Sequence, residues 1–209
     1  MPTKHIKRNY RKAKYVLYKE TLVDFKEHFW AFIGAFVGMG IIAYLQYNAV
    51  PKEDFVFLIG SFGASCVLVY GVIQSPLAQP RNLIGGHMIS AFVGVTAVKL
   101  FPDMIWLASA FAVASSIVLM QITKTLHPPG GATALIAVTG SPAILKLGYW
   151  YVISPVLSGA LILLIVALIF NNMTTNRHYP TNNKFTKLKK RISGHLKTNK
   201  DNHDNAETE

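Results

Sequence analysis

The chain has 209 residues, 51% of them apolar and only 15% charged, against about 25% charged in ordinary soluble domains. Its formal net charge is +11, and its one cysteine, Cys66, excludes a disulfide framework and a Cys-rich metal site. Residues 1–27 hold eight Lys/Arg and three acids, residues 171–209 hold eight and four, and residues 28–170 only five and three. That segregation excludes a soluble globular domain and a disordered chain. It fits an integral membrane protein with two basic tails.

Residues 1–27 contain no short apolar core followed by a small-residue cleavage site, so no secretory signal is read there. A basic cluster ahead of a hydrophobic span stays in the cytoplasm. Residues 15–29 mix Tyr15, Val16, Leu17, Leu22, Val23, Phe25 and Phe29 with Lys19, Glu20, Asp24 and Lys26. This suits a helix lying on the membrane surface, or a solvated linker. A spanning helix needs about 20 apolar residues. Residues 29–47 qualify, and so do 55–73 despite Gly60, Gly63 and Gly71. So do 84–101, carrying His87 and Lys99, then 104–122, and 149–171 with Pro155 inside. Between the last two, the apolar part of LHPPGGATALIAVTGSP, residues 132–138, is too short to cross alone. The tail 172–209, basic and then acidic, is expected to be disordered and cytoplasmic. Its basic run 184–191 reads as a topology determinant near anionic lipid, and no nucleic-acid partner is expected.

Charge sets the topology. With six crossings, Arg81 and Lys124 fall on the cytoplasmic side with both tails, and Lys52 and Lys146 fall outside. The chain also repeats. Gly63-Ala64-Ser65 lies over Gly131-Ala132-Thr133, and Ser75-Pro76 over Ser141-Pro142; Gly94 and Gly159 follow in the next helices. Each half reads long helix, Gly-broken short helix, polar turn, long helix. The expected fold is therefore all-α, with six membrane segments as two inverted three-segment repeats, 28–101 and 104–171.

The breaks carry the chemistry. His127-Pro128-Pro129-Gly130-Gly131 cannot be regular helix, since proline lacks a donor and glycine frees the backbone. A short helix can begin at Gly131-Ala132-Thr133, and Gly60-Ser61-Phe62-Gly63-Ala64-Ser65 does the same in the first half. Such starts offer free N–H groups and a positive dipole end, a ready site for a small anion. The hydroxyls of Ser61, Ser65 and Thr133 add donors. Close helix packing is the bland reading; it suits Gly34, Gly38, Ser154 and Ser158 better than the Pro-Pro-Gly-Gly run. His87 and His127 are candidates for the anion site, His127 in a hydrogen-bonding or proton-linked role; a capped structural histidine is the bland reading of His87. An alternative is an intramembrane redox or haem subunit using both, although no third ligand supports a metal. Arg81 and Asn82 sit in a Pro-braced loop, where Arg81 either marks the mouth of an anion path, with Lys146 at the other mouth, or only obeys the charge bias. No nucleophile elbow, phosphate loop or metalloprotease motif occurs, so no catalytic residue, enzyme activity, cofactor or metal is expected.

LHPPGGATAL at 126–135, GSFGASCVL at 60–68 and SPLAQPRNLIGGH at 75–87 closely resemble the HPP family of integral membrane proteins, named for the His-Pro-Pro at 127–129. The resemblance covers about 28–171. It implies transport of nitrite or a similar small monovalent anion. It also implies four conventional transmembrane helices, to which the two broken segments are additional. Some members carry a C-terminal regulatory domain with CBS repeats, which the short tail is expected to lack. The expectation is thus a small-anion transporter of the plasma membrane, both termini cytoplasmic, assembled as a homo-oligomer. A non-transporting membrane scaffold is a further alternative.

Overall fold

The computed structural model describes residues 25–47, 60–174 and 177–181, and every regular element among them is helical. Helix α1 is Phe25–Tyr47. Helix α2, Gly60–Gly71, widens into a π turn over Val67–Gly71. A 3₁₀ turn at Pro76–Ala78 leads into α3, Pro80–Leu100. Then come α4, Ile105–Ile122, the short α5, Pro129–Thr139, and α6, Pro142–Leu147. Helix α7 runs Val152–Phe170.

Helices α1, α3, α4 and α7 are long and apolar enough to cross a membrane. The other two candidate segments are shorter. Helix α5 has 11 residues, a rise of about 16 Å at 1.5 Å per residue, against about 30 Å of hydrocarbon. Residues 55–73 read as a full span, but the described helix there covers only Gly60–Gly71; residues 48–59, with Lys52, lie outside the described residues. The surface-helix reading of 15–29 likewise falls outside them up to residue 24.

The two Ser-Pro pairs do the same local work. Ser75 Oγ accepts from Leu77 N–H and Ser141 Oγ from Ala143 N–H, each at 3.2 Å, with proline opening the next turn. Helix α3 is the central element, packed on α4, α5 and α7. Large apolar side chains of α1, α4 and α7 such as Phe36, Trp106, Ile122, Ile165 and Ile169 point outward, as lipid contact requires.

Glycines set the closest approaches. A Cβ on Gly38 would lie 2.5 Å from Tyr70 Oη, and one on Gly94 2.5 Å from the Ala134 carbonyl oxygen. A Cβ on Gly159 would run into the Phe62 ring. So α3 seats Gly94 on the short helix α5, and α7 seats Gly159 on the short helix α2. Ser154 and Ser158 do not share this packing role. Both are exposed, and Ser154 is non-helical at φ −138°, ψ 123°, where Pro155 interrupts α7.

One end of the bundle gathers the α1 start, the loops 72–79 and 123–128, and residues 177–181. Arg177 donates to the carbonyls of Glu27 at 2.9 Å and Tyr70 at 2.7 Å, and to Asn171 Oδ1 at 2.8 Å. The Tyr179 hydroxyl donates to the Ala78 carbonyl at 2.7 Å. Burial lowers the Arg177 guanidinium from its usual value, with Glu27 opposing, and pushes the Tyr179 phenol up. The folded body thus extends past residue 171, where a disordered tail was expected to begin. The reason is that Arg177 bonds the Tyr70 carbonyl in the last turn of α2, where a helix leaves carbonyls over, and ties it to Glu27 and Asn171.

Candidate functional site

Helices α2 and α5 meet inside the apolar body, and α3 lies against the junction. Ser61, Ser65, His87, His127 and Thr133 are all buried there. Ser65 Oγ lies 2.8 Å from His87 Nε2 and 3.0 Å from His127 Nε2. His87 Nδ1 lies 2.8 Å from Thr133 Oγ1, which lies 2.7 Å from Ser61 Oγ. His127 Nδ1 lies 2.9 Å from the Leu77 carbonyl. Further carbonyls are in reach: Pro129 O at 3.1 Å from Ser61 Oγ and Ser61 O at 3.2 Å from Ser65 Oγ. The Tyr151 hydroxyl donates to the Thr133 carbonyl at 3.1 Å.

A carbonyl only accepts, so His127 Nδ1 carries a proton, and in the neutral ring Nε2 is a bare acceptor. Ser65 fills it by donating. Its oxygen then accepts from His87 Nε2–H, which leaves His87 Nδ1 to accept from Thr133, and Ser61 donates to Thr133 or to Pro129. Every donor has an acceptor, and all donations run one way, from Ser61 to Leu77. Such a closed network is stable in apolar surroundings, where an unpaired polar group costs about 1–3 kcal/mol.

The residues singled out in the sequence separate into four groups. Ser61, Ser65, His87, His127, Thr133 and the Pro129 carbonyl form the network. Gly60, Gly63, Ala64, Pro128, Gly131 and Ala132 lie over it on partly or fully exposed faces of α2 and α5. A Cβ on Gly60, Gly63 or Gly131 would meet nothing within 4 Å. Gly130 belongs to packing, since its Cβ would lie 2.6 Å from Ser90 Oγ. Arg81 and Asn82 do not reach the network. Arg81 donates to the Thr123 carbonyl and Asn82 to the Leu126 carbonyl, stapling the loop that presents His127.

The start of α5 differs from expectation. Gly130 N–H bonds the His127 carbonyl at 2.8 Å and Gly131 N–H the Pro128 carbonyl at 3.0 Å, and Pro129 has no N–H. A tight turn consumes the donors expected to face an anion; hydroxyls and imidazoles are the donors of this site instead. Among the described residues positive φ is confined to Lys124 and Gly148.

Sequence reasoning missed Leu77, Phe62 and Tyr151, because a backbone acceptor, a phenylalanine and a distant tyrosine carry no motif. It also missed a cavity of about 550 Å³ between α1, α6 and α7, lined by Gln46, Ser154, Ser158 and Gly159 among others. The Gln46 Oε1 there is buried without a partner. Phe62 stands between Gly159 and the network, its ring centroid 5.2 Å from that of His87.

Both Nε2 atoms converge on one hydroxyl, which leaves no slot for a haem between them. Among the described residues no group of three or more His, Cys, Asp or Glu is placed to hold a metal.

The family profile for the HPP transmembrane region matches residues 20–180. The chain belongs to the HPP family. Two transmembrane proteins of Dictyostelium discoideum are 45% and 44% identical to this HPP protein over 160 residues. The match covers 75% of this chain and 56% and 51% of theirs. This chain therefore spans about half the length of those relatives. No solved structure matches it.

Proposed function

We propose that this HPP protein is a transporter, not an enzyme, that carries a small monovalent inorganic anion across the plasma membrane. Nitrite is the candidate its family suggests. The observation that carries the reading is the buried network at the α2–α5 junction. Polar groups held at membrane depth mark substrate and ion pathways. Broken helices are tolerated there only beside protein or a wet cavity. The anion approaches over the glycine-fronted faces of α2 and α5, and the cavity behind Phe62 is the second vestibule.

Six alternating crossings as two inverted repeats fit the contacts. The loops bearing Arg81 and Lys124 gather with the α1 start and residues 177–181, as the positive-inside bias requires if both tails are cytoplasmic. The same faces support a homo-oligomer. Gly60, Ala64, Val67 and Gly71 of α2, with Pro128, Ala132 and Leu135 of α5, are exposed. Backbone this bare is poorly suited to lipid, and a second copy closes the path.

The test is uptake of labelled nitrite into proteoliposomes, corrected for protein-free vesicles. Saturable uptake, inhibited by other small anions and reduced in Ser65→Ala, supports the reading. Wild-type vesicles that take up no more than empty ones overturn it.

A further inference from the structure

The neutral network has no donor to spare. Each hydroxyl and each ring N–H already serves an internal acceptor, so an anion arriving there finds lone pairs. One change gives the cluster a positive charge without orphaning any group. A hydronium ion gives its proton to the Nε2 lone pair of neutral His127 and leaves as water; one N–H bond forms on the ring. His127 then donates from Nε2 to Ser65 Oγ, across 3.0 Å, and still donates from Nδ1 to Leu77. Ser65 turns its own proton to the Ser61 carbonyl at 3.2 Å. Its oxygen now accepts from both imidazoles. The second acceptor beside Ser65 is what lets the cluster take one proton and keep every bond.

The charge so created has no partner in the protein. From α2 the pair faces the Ser61 and Ser65 hydroxyls and the Phe62 ring. From α5 it faces the Thr133 hydroxyl, and from the 72–79 loop the Leu77 carbonyl. From α7 the Tyr151 hydroxyl ends on the Thr133 carbonyl. On α4 the Met120 sulfur takes the Ser90 hydroxyl of α3, and the buried Ser116 hydroxyl is neutral. Cys66, next to Ser65, belongs to the apolar cluster with Val69 and Leu163. Among the described residues the carboxylates are Glu27, at the α1 start, and Asp103, in the turn after α3. A buried cation without a counter-charge is strongly disfavoured. A bound monovalent anion supplies that charge, and the imidazolium supplies the attraction the neutral network lacks.

Building on the anion reading above, we propose that the Ser65-bridged His87–His127 pair is a proton site, and that the protein moves its anion and one proton together as an electroneutral symporter. The full chain in proteoliposomes tests this, with nitrite as the probe, pyranine inside to report pH, and potassium with valinomycin to set the potential. Protein-free vesicles give the background from nitrous acid.

The expected result is internal acidification accompanying nitrite entry. The rate should not change with imposed potential and should rise by up to about tenfold per unit of external acidification, the limit for a single proton. His127→Asn retains a donor toward Leu77 but not the titrating nitrogen. It should lose uptake at least tenfold, and what remains should no longer rise with external acidification. Nitrite entry that follows the potential without acidification overturns the symport and leaves the anion reading standing. Folded His127→Asn that keeps the wild-type acidification and pH dependence of uptake also overturns it. No nitrite entry in the wild type removes the anion reading and this inference with it.

Discussion

Ser65 and Thr133 hold opposite nitrogens of one imidazole. Ser65 Oγ lies 2.8 Å from His87 Nε2 and Thr133 Oγ1 lies 2.8 Å from His87 Nδ1. The two residues end the equivalent stretches Gly63-Ala64-Ser65 and Gly131-Ala132-Thr133. The two short helices are thus joined through a histidine of α3, and this junction is structural whatever else it does.

The first prediction follows from that joint. Thr133→Val keeps the shape and leaves His87 Nδ1 without its partner, which should lower stability by about 1–3 kcal/mol. His87→Ala adds a cavity in the centre of the bundle and should lower it by about 2–4 kcal/mol. Thermal unfolding in detergent measures both. Equal, negligible shifts would show that the junction does not hold the helices together.

A second prediction separates two glycines. A side chain on Gly94 meets the Ala134 backbone, whereas one on Gly131 meets nothing within 4 Å. Gly94→Ala should destabilise by about 1–3 kcal/mol through overpacking. Gly131→Ala should be neutral or stabilising by up to about 1 kcal/mol, since alanine favours the helix. Gly131→Val should fold yet slow anion flux, because it fills the open face. Full flux in folded Gly131→Val would move the path elsewhere.

Topology is testable with single cysteines in a Cys66→Ser background. Positions 81 and 124 should be shielded from an impermeant thiol reagent added outside, and position 146 labelled. Labelling of 81 and 124 would contradict six crossings with cytoplasmic tails.

Assembly gives a further check. The mass of the protein in lipid nanodiscs should be a multiple of the monomer's. Cysteines at Ala64 or Ala132, on the exposed faces of α2 and α5, should crosslink between copies. A monomer in both detergent and lipid would leave those faces uncovered and rule out the second copy.

Much of this was legible in the sequence because a bilayer allows few solutions. The long spans, the short helix after Pro128-Pro129 and the paired Ser-Pro starts follow from hydropathy and from what proline and glycine do to a backbone. That Ser61, Ser65 and Thr133 put hydroxyls beside the glycines was legible too; that they bond one another and the histidines was not. The convergence of His87 and His127 on Ser65 was not, because it depends on Gly86 letting α3 sit against His127. Nor was the consumption of the Gly130 and Gly131 N–H groups, which depends on how tightly the chain turns after His127. Arg177 was lost in a tail whose composition resembles disorder, and only its buried carbonyl partners reveal its place.

The most direct measurement is nitrogen NMR of the protein labelled at histidine, in lipid at fixed pH, with and without nitrite. His127→Asn assigns the His127 signals. Nitrite should move the ring nitrogens of His127 toward the imidazolium pattern, shift those of the neutral His87 beside it, and leave His28 and His178 unchanged. Active protein in which saturating nitrite leaves the His87 and His127 signals where they were would contradict the assignment of the α2–α5 junction as the anion site.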